Sequence, residues 1–135
     1  VTRCEGGLTG TRDRALLLLG YAAALRRGEL ATVRREHLEI RPDGALRLLI
    51  PRAKGDPEGQ GAWLGIPRGS KAETCPVRAL RAWLDAAGIT AGPIFRGVAK
   101  GGKTVRKGRL DPGSVARIVK RAAARAGLPD AEIRR

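Results

Sequence analysis

The chain is poor in the residues that metal sites, disulfide frameworks and histidine catalysis require. Its 135 residues include one histidine, two cysteines and no methionine, and aromatic residues make up 3% of the composition. A single histidine, His37, excludes metal sites built from several histidines and most histidine-based catalysis. Cys4 and Cys75 are far apart in sequence and form no C-x-x-C pair. We therefore predict reduced thiols, and neither a disulfide framework nor a zinc site.

Long hydrophobic runs are also missing. The longest apolar stretch, residues 15–25, is shorter than the roughly 20 residues that a membrane-spanning helix needs. No signal-peptide pattern opens the chain, and a start at Val1 suggests a cut within a longer protein. The length suits one domain, and the 42% hydrophobic content suits a globular core. We expect a cytoplasmic, nucleoid-associated protein without a membrane partner.

Acidic residues are scarce relative to basic ones. Lysine and arginine number 27 against 13 aspartates and glutamates, for a formal net charge of +14. Such a surplus causes self-repulsion unless the partner is a polyanion. Of the 27 basic residues 21 are arginines, whose planar guanidinium binds phosphate through two parallel hydrogen bonds. This favours a nucleic-acid partner; the alternative is the general composition of an arginine-rich proteome.

Hydrophobic patterning predicts an α+β fold that is mostly helical with a small three-stranded antiparallel sheet. In the first half, Thr9-Gly10-Thr11 offers a cap for a largely buried helix over 12–26, with Asp13 in its first turn and Gly28 ending it. A Pro42-Asp43-Gly44 turn signal and alternating apolar residues then predict short strands. These strands cover residues 37–40, 45–51 and 62–67.

The second half predicts two more helices separated by a basic loop. Thr74 or Cys75 is expected to cap a helix that begins at Pro76 and ends at Gly88. Residues 92–95 form a short extended piece, and residues 98–109 a loop of glycine and basic residues. Asp111 is expected to cap the last helix, whose apolar positions keep helical spacing to residue 126.

The motif Leu25-Arg26-Arg27-Gly28-Glu29-Leu30 contains the first candidate site residues. An arginine fixed to a rigid element can hold a phosphate with two donors, and Glu29 follows Arg26 by three positions. Alternatively, Arg26 is a surface residue favoured by a helix C-terminus, and Glu29 is a helix-surface salt-bridge partner. Lys54 follows Arg26 by 28 positions (54 minus 26), between the second and third predicted strands. Its alternative interpretation is a solvated turn lysine.

Taken together, these segments resemble the catalytic domain of the tyrosine recombinases, the phage-integrase family. The resemblance covers nearly the whole chain. It rests on Arg26 and Lys54 in the family's order, and on the pieces Gly65-Ile66-Pro67, 75–84, Gly92-Pro93-Ile94-Phe95 and 115–126. It implies that Arg26 binds the scissile phosphate, that Lys54 is the general acid protonating the 5′-oxygen, and that Glu29 orients the active-site bases. It also implies a reaction that needs neither a metal nor another cofactor and that has no small-molecule substrate.

The chain departs from the family pattern toward its C-terminus. The H-x-x-R box, a later His or Trp, and the nucleophilic tyrosine have no counterpart. His37 precedes Lys54, and we expect it to be an ordinary strand-edge residue. Tyr21 lies upstream of Arg26, and we expect it to be in the core or in a helix contact. The resemblance therefore implies a partial catalytic domain over residues 1–135, without the N-terminal DNA-clamping domain and the C-terminal catalytic segment. Missing helices would leave an exposed apolar patch. The complete enzyme would act through a 3′-phosphotyrosyl intermediate, with double-stranded DNA and other recombinase protomers as partners.

Basic residues in the second half are candidates for DNA binding. In the family, the helix corresponding to 113–126 lies against DNA and reaches the major groove. Phosphate contacts would give salt-dependent affinity without sequence choice. The alternatives are a solvated loop and helix face, a non-catalytic nucleic-acid-binding module, or an inactive relic of a mobile element. The candidates are Lys100, Lys103, Arg106, Lys107, Arg109, Arg117, Lys120 and Arg121.

Overall fold

The computed structural model describes residues 7–50 and 62–125, and it confirms a mostly helical α+β fold. Within these ranges, no helix is long and apolar enough to span a membrane, and no group of His, Cys, Asp and Glu could hold a metal ion. The elements are α1 (Gly7–Ala23), α2 (Arg27–Thr32), β1 (Leu38–Ile40), β2 (Leu46–Ile50), β3 (Ala62–Ile66), α3 (Pro76–Ala87), β4 (Arg96–Val98), β5 (Val105–Arg109) and α4 (Pro112–Arg125), with 3-10 turns at Arg35–His37 and Ala72–Thr74.

Helix α1 is the central element of the core and packs mainly against α3. Its leucine run confirms the prediction of a largely buried helix, because Leu16 and Leu19 have no exposed surface. The predicted start was wrong: α1 begins at Gly7, so Thr9 lies inside the helix. Asp13 is consequently beyond the first turn, where the helix dipole cannot explain it, and is buried.

The sheet confirms the predicted three antiparallel strands, and its strand order is β1-β2-β3. Leu38 pairs with Leu48 and Leu46 with Ile66, so apolar side chains alternate onto the face that covers the core. The first strand begins one residue later than predicted, because His37 ends a 3-10 turn. On the outer face, the Arg47 guanidinium lies 3.2 Å from a Glu39 carboxylate oxygen and 4.6 Å from the centre of the Trp63 ring.

Helix α3 has the bounds that its proline and glycine predicted. Pro76 occupies the first turn, and Gly88 ends the helix with a left-handed φ of 66°. Trp83 is fully buried and its indole Nε1–H donates to the carbonyl oxygen of Ile94 at 2.7 Å. This bond attaches α3 to the extended piece 92–95, where Ile94 and Phe95 are also fully buried.

The Glu36 side chain connects the turn after α2 to the segment before β4 through hydrogen bonds. Its carboxylate accepts the Gly92 N–H at 2.6 Å and the Arg34 Nε–H at 2.8 Å. The Gly92 bond first, and Arg34 second, lower the pKa of Glu36 below its ordinary value of 4.5. Two backbone hydrogen bonds connect the same two segments. The Arg35 N–H donates to Gly92 C=O at 2.7 Å, and the Ile94 N–H donates to Val33 C=O at 3.1 Å.

The lowered pKa of Glu36 predicts that the fold loses stability at acid pH. A carboxylate whose pKa is lower in the folded state stabilises above its unfolded pKa, and that contribution is lost as pH falls through the folded pKa. We expect Glu36→Gln to be less stable than the parent chain at pH 6, and the difference to shrink below about pH 4.5. Urea unfolding at pH 6 and pH 3 measures it. A constant difference at both values would contradict the assignment.

The prediction of a loop over residues 98–109 was wrong. The segment is largely a hairpin in which β4 and β5 pair antiparallel, with Val98 opposite Val105. Gly101 and Gly102 take positive φ values of 105° and 75° and form the reversal, which glycine allows without steric cost. The Ala99 N–H donates to Thr104 C=O at 2.7 Å and closes the turn.

Helix α4 confirms the predicted cap. The Ser114 N–H donates to Asp111 Oδ1 at 2.6 Å, and this bond is the largest cause that lowers the pKa of Asp111. Val115 and Ile118 are buried on the inner face. α4 packs on α2, so the basic helix and the segment that begins at Arg26 form one body.

Candidate active site

Arg26 lies in the short connection between α1 and α2. α1 ends because Ala24 adopts a left-handed φ of 52°. The Leu25 N–H donates to Gly20 C=O at 3.0 Å and the Ala24 N–H to Tyr21 C=O at 3.3 Å, which is the Schellman arrangement. The predicted helix end at Gly28 was therefore wrong, and Gly28 lies inside α2.

This placement removes the helix-dipole explanation for Arg26. The residue precedes α2 as its N-cap, and a positive charge is disfavoured at a helix N-terminus. The Arg26 and Arg27 side chains are exposed. Within residues 7–50 and 62–125, the ion pairs involve other arginines, namely Arg12, Arg34, Arg47 and Arg121. No described carboxylate neutralises the guanidinium of Arg26.

Glu29 holds the backbone of Arg26 and not its side chain. A Glu29 carboxylate oxygen, Oε1, accepts the Arg26 N–H at 2.8 Å, and the Leu30 N–H donates to Arg26 C=O at 2.9 Å. A glutamate at this position of a helix commonly satisfies the N-cap amide. The guanidinium thus extends from a fixed backbone, which the three-residue spacing in sequence indicated only in part.

Gly20 lets α2 approach α1 closely. A Cβ atom on Gly20 would lie 2.9 Å from Leu30 Cδ1, nearer than ordinary van der Waals contact. Leu30 is buried with 3% exposure. The absence of a side chain at Gly20 therefore leaves room for the buried Leu30 side chain between α1 and α2.

The left-handed conformation of Ala24 predicts that glycine at this position stabilises the fold. A left-handed φ costs an alanine about 1 kcal/mol, and glycine carries no such cost. We expect Ala24→Gly to raise the free energy of unfolding by about 0.5–1 kcal/mol. Ala22→Gly is the matched control, because Ala22 is also exposed but helical. It should lower the free energy of unfolding by about as much. Equal changes in urea denaturation would contradict the prediction.

A depression of about 380 Å³ lies beside Arg26. It brings together the residues flanking Arg26 and the end of β2, from which the chain continues toward Lys54. Lys54 itself lies outside the described residues, after Ile50, which pairs with Ala62 of β3. The lining residues are Leu25, Glu29, Thr32, Val33, His37, Leu48, Leu49 and Ile50.

His37 and Tyr21 differ from expectation. His37 is not a strand-edge residue: it ends the 3-10 turn, lines the depression, and its Nδ1 accepts the Arg34 N–H at 3.1 Å. Tyr21 is not in the core but 84% exposed in the last turn of α1. Trp63, 47% exposed, is the other exposed large hydrophobic among the described residues.

Comparison with known proteins identifies the family. No protein-family model matches the chain. Over 126 residues, or 93% of its length, the chain is 43% identical to an integrase/recombinase, a xerD homolog, from Selenomonas ruminantium. The chain belongs to the tyrosine recombinase family. It spans 36% of the length of that relative.

The basic residues of this tyrosine recombinase chain lie on the β4–β5 hairpin and on α4. The hairpin side chains Lys100, Lys103, Arg106, Lys107 and Arg109 are exposed. Arg106 crosses the glycine on the neighbouring strand, since a Cβ on Gly97 would lie 3.2 Å from Arg106 Cδ. Arg96 faces Arg109 across the strands, but its Nε–H donates to Pro93 C=O at 2.6 Å.

The α4 candidates are not equivalent. Lys120 is exposed and makes no hydrogen bond or ion pair with other described residues. The exposed Arg117 donates to the Ser114 hydroxyl at 2.9 Å. Arg121 turns toward α1, with its Nη2 4.0 Å from Asp13 Oδ2. The sequence named Arg121 as a candidate for DNA binding but carried no signal for this partner.

Proposed function

We propose that this chain supplies the phosphate-binding half of a DNA strand-exchange site and binds double-stranded DNA. The supporting observation is the depression beside Arg26. It joins Leu25 and Glu29, on either side of Arg26, to Ile50, the last described residue before the Lys54 segment. This supports the proposal, because residues next to Arg26 and the end of the strand that precedes Lys54 in sequence line one depression.

The proposed roles follow from charge and position. Arg26 binds the scissile phosphate, because its guanidinium is exposed, has no described carboxylate partner and extends from a backbone fixed by Glu29. In the complete enzyme, a tyrosine oxygen attacks phosphorus and the bond to the 5′-oxygen breaks. Lys54 donates the proton that the leaving 5′-oxygen takes up. The phosphodiester energy stays in the covalent link, so the reaction consumes no cofactor.

The hairpin and α4 form the proposed DNA surface. Their exposed basic side chains suit phosphate contacts, which neutralise the net charge of +14. For binding of the chain to a labelled duplex, log Kobs should fall linearly as the logarithm of the salt concentration rises. The slope should be near −0.9 for each phosphate contacted. A flat dependence on salt would refute DNA binding through this surface. Other protomers on the same DNA are proposed partners of the complete enzyme, in the nucleoid.

Strand cleavage by the 135-residue chain alone is not expected. Its sole tyrosine, Tyr21, precedes Arg26 on the α1 helix, and its sole histidine accepts a backbone N–H. With a nicked suicide DNA substrate, denaturing electrophoresis should show no covalent protein–DNA adduct. An adduct would contradict the prediction, and its loss in Tyr21→Phe would identify the nucleophile.

A further inference from the structure

A buried ion pair on α1 has no part in the proposed chemistry. Arg12 and Asp13 are 7% and 9% exposed, although neighbouring residues on a helix do not normally face one another. Arg12 donates from both Nε and Nη2 to Asp13 Oδ1, at 2.9 and 2.8 Å. Charges this deeply buried are costly unless they are paired. Here the two charges are paired with each other, so their further contacts determine what else the pair can do.

The pair contacts both elements of the proposed DNA surface. Arg12 Nη1 donates to the carbonyl oxygen of Arg96, the first residue of β4, at 3.3 Å. The second carboxylate oxygen of Asp13 lies 4.0 Å from Arg121 Nη2 on α4. One carboxylate thus connects α1 to the hairpin through Arg12 and to the basic helix through Arg121.

We propose that Asp13 is a positioning residue for the DNA surface, and that Arg121 is its anchor and not a phosphate contact. The inference rests on the proposed function, since it concerns the same surface. The buried Asp13 carboxylate acts only through its partners. It fixes where β4 and α4 lie on α1, and so fixes the spacing between the basic side chains of the hairpin and those of α4.

The first test needs no DNA. Asp13→Asn keeps the size and an oxygen acceptor for Arg12, but removes the charge that faces Arg121. Amide hydrogen exchange followed by NMR should become faster in both β4 and the 115–123 part of α4, while the β1–β2–β3 sheet keeps its protection. Unchanged protection in β4 and α4 would overturn the positioning role. If Asp13→Asn does not fold, the Arg121 variants below decide the question.

The second test separates an anchor from a phosphate contact. Lys120→Gln, the neighbouring exposed control, should reduce the slope of log Kobs against log salt by about 0.9. Arg121→Gln removes the same charge but should leave the slope unchanged, and Arg121→Lys should restore the exchange protection of α4. The effects of Asp13→Asn and Arg121→Gln on Kobs should be non-additive by a factor of about two or more.

The outcomes distinguish this inference from the proposed function. If Arg121→Gln lowers the slope as much as Lys120→Gln does, Arg121 contacts phosphate and the anchor assignment is wrong. If the parent chain shows no salt-dependent binding to a duplex, the proposed function fails. The hydrogen-exchange result still shows whether Asp13 holds the hairpin and α4 in place.

Discussion

Replacing Lys100, Lys103, Arg106 and Lys107 together by glutamine will abolish most of the salt-dependent DNA affinity of this chain. All these side chains are exposed on the β4–β5 hairpin or its turn. If each contacts a phosphate, the slope of log Kobs against log salt falls by about 3–4, because each lost contact contributes about 0.9. Fluorescence anisotropy of a labelled duplex over a salt series measures the slope directly.

A matched variant separates the position of the charges from their number. Arg41, Arg68, Lys71 and Arg81 are also exposed but lie on other elements. Their replacement by glutamine changes the net charge equally. We expect this control to weaken binding slightly through the long-range field and to leave most of the slope intact. Equal loss in both variants would mean that net charge alone binds DNA and that the hairpin is an ordinary solvated surface.

Trp83→Ala should cost about 3–5 kcal/mol of unfolding free energy, the range for deleting a large buried aromatic side chain. Trp83 has no exposed surface, and its indole N–H binds the Ile94 carbonyl oxygen at 2.7 Å. Trp83→Phe keeps most of the apolar volume but removes the donor. It should therefore cost less than the alanine variant, though still about 1–3 kcal/mol, because a buried carbonyl loses its partner. Urea denaturation followed by circular dichroism measures both.

The second tryptophan supplies the control. Trp63 is 47% exposed and stacks under the Arg47 guanidinium on the outer face of the sheet. Trp63→Ala should cost less than Trp83→Phe, since an exposed cation–π contact contributes about 0.5–1 kcal/mol. If Trp63→Ala proved as damaging as Trp83→Ala, the outer face of the sheet would have to be covered, contrary to the fold.

Prediction from sequence succeeded where a residue type determines local geometry. Pro76 and Gly88 bound α3 because one lacks an N–H and the other tolerates a left-handed φ. Asp111 caps α4 for a similar local reason. The Pro42-Asp43-Gly44 turn and the alternation on both sides of it predicted β1 and β2. Each of these signals lies within a few residues of the feature it predicts.

It failed where tertiary packing overrides the local signal. Gly28 looked like the end of the first helix, but Ala24 takes the left-handed conformation and Gly28 is helical. Glycine and basic residues at 99–104 concealed a hairpin, because a single pair of valines carries its strand pattern. Periodicity also gave no hint that Asp13 is buried, since its partners come from its immediate neighbour and from α4.

For the site, the sequence predicted the residue pair but not the contact. The family resemblance implied that Glu29 orients the active-site bases, whereas its observed hydrogen bond joins the carboxylate to the backbone N–H of Arg26. That bond depends on the chain leaving α1 at Ala24, which residue type does not indicate. The placement of Lys54 and its role as general acid remain predictions, because Lys54 lies outside the described residues.

The contrasting environments of the two tryptophans give the chain a pair of built-in optical reporters. Trp83, fully buried, should emit at short wavelength and resist an aqueous quencher such as iodide. Trp63, half-exposed at the second position of β3, should emit at longer wavelength and be readily quenched. Because β3 follows directly on the segment that contains Lys54, quenching of Trp63 can report a ligand arriving at this end of the sheet. Emission from Trp83 meanwhile reports whether the core is intact.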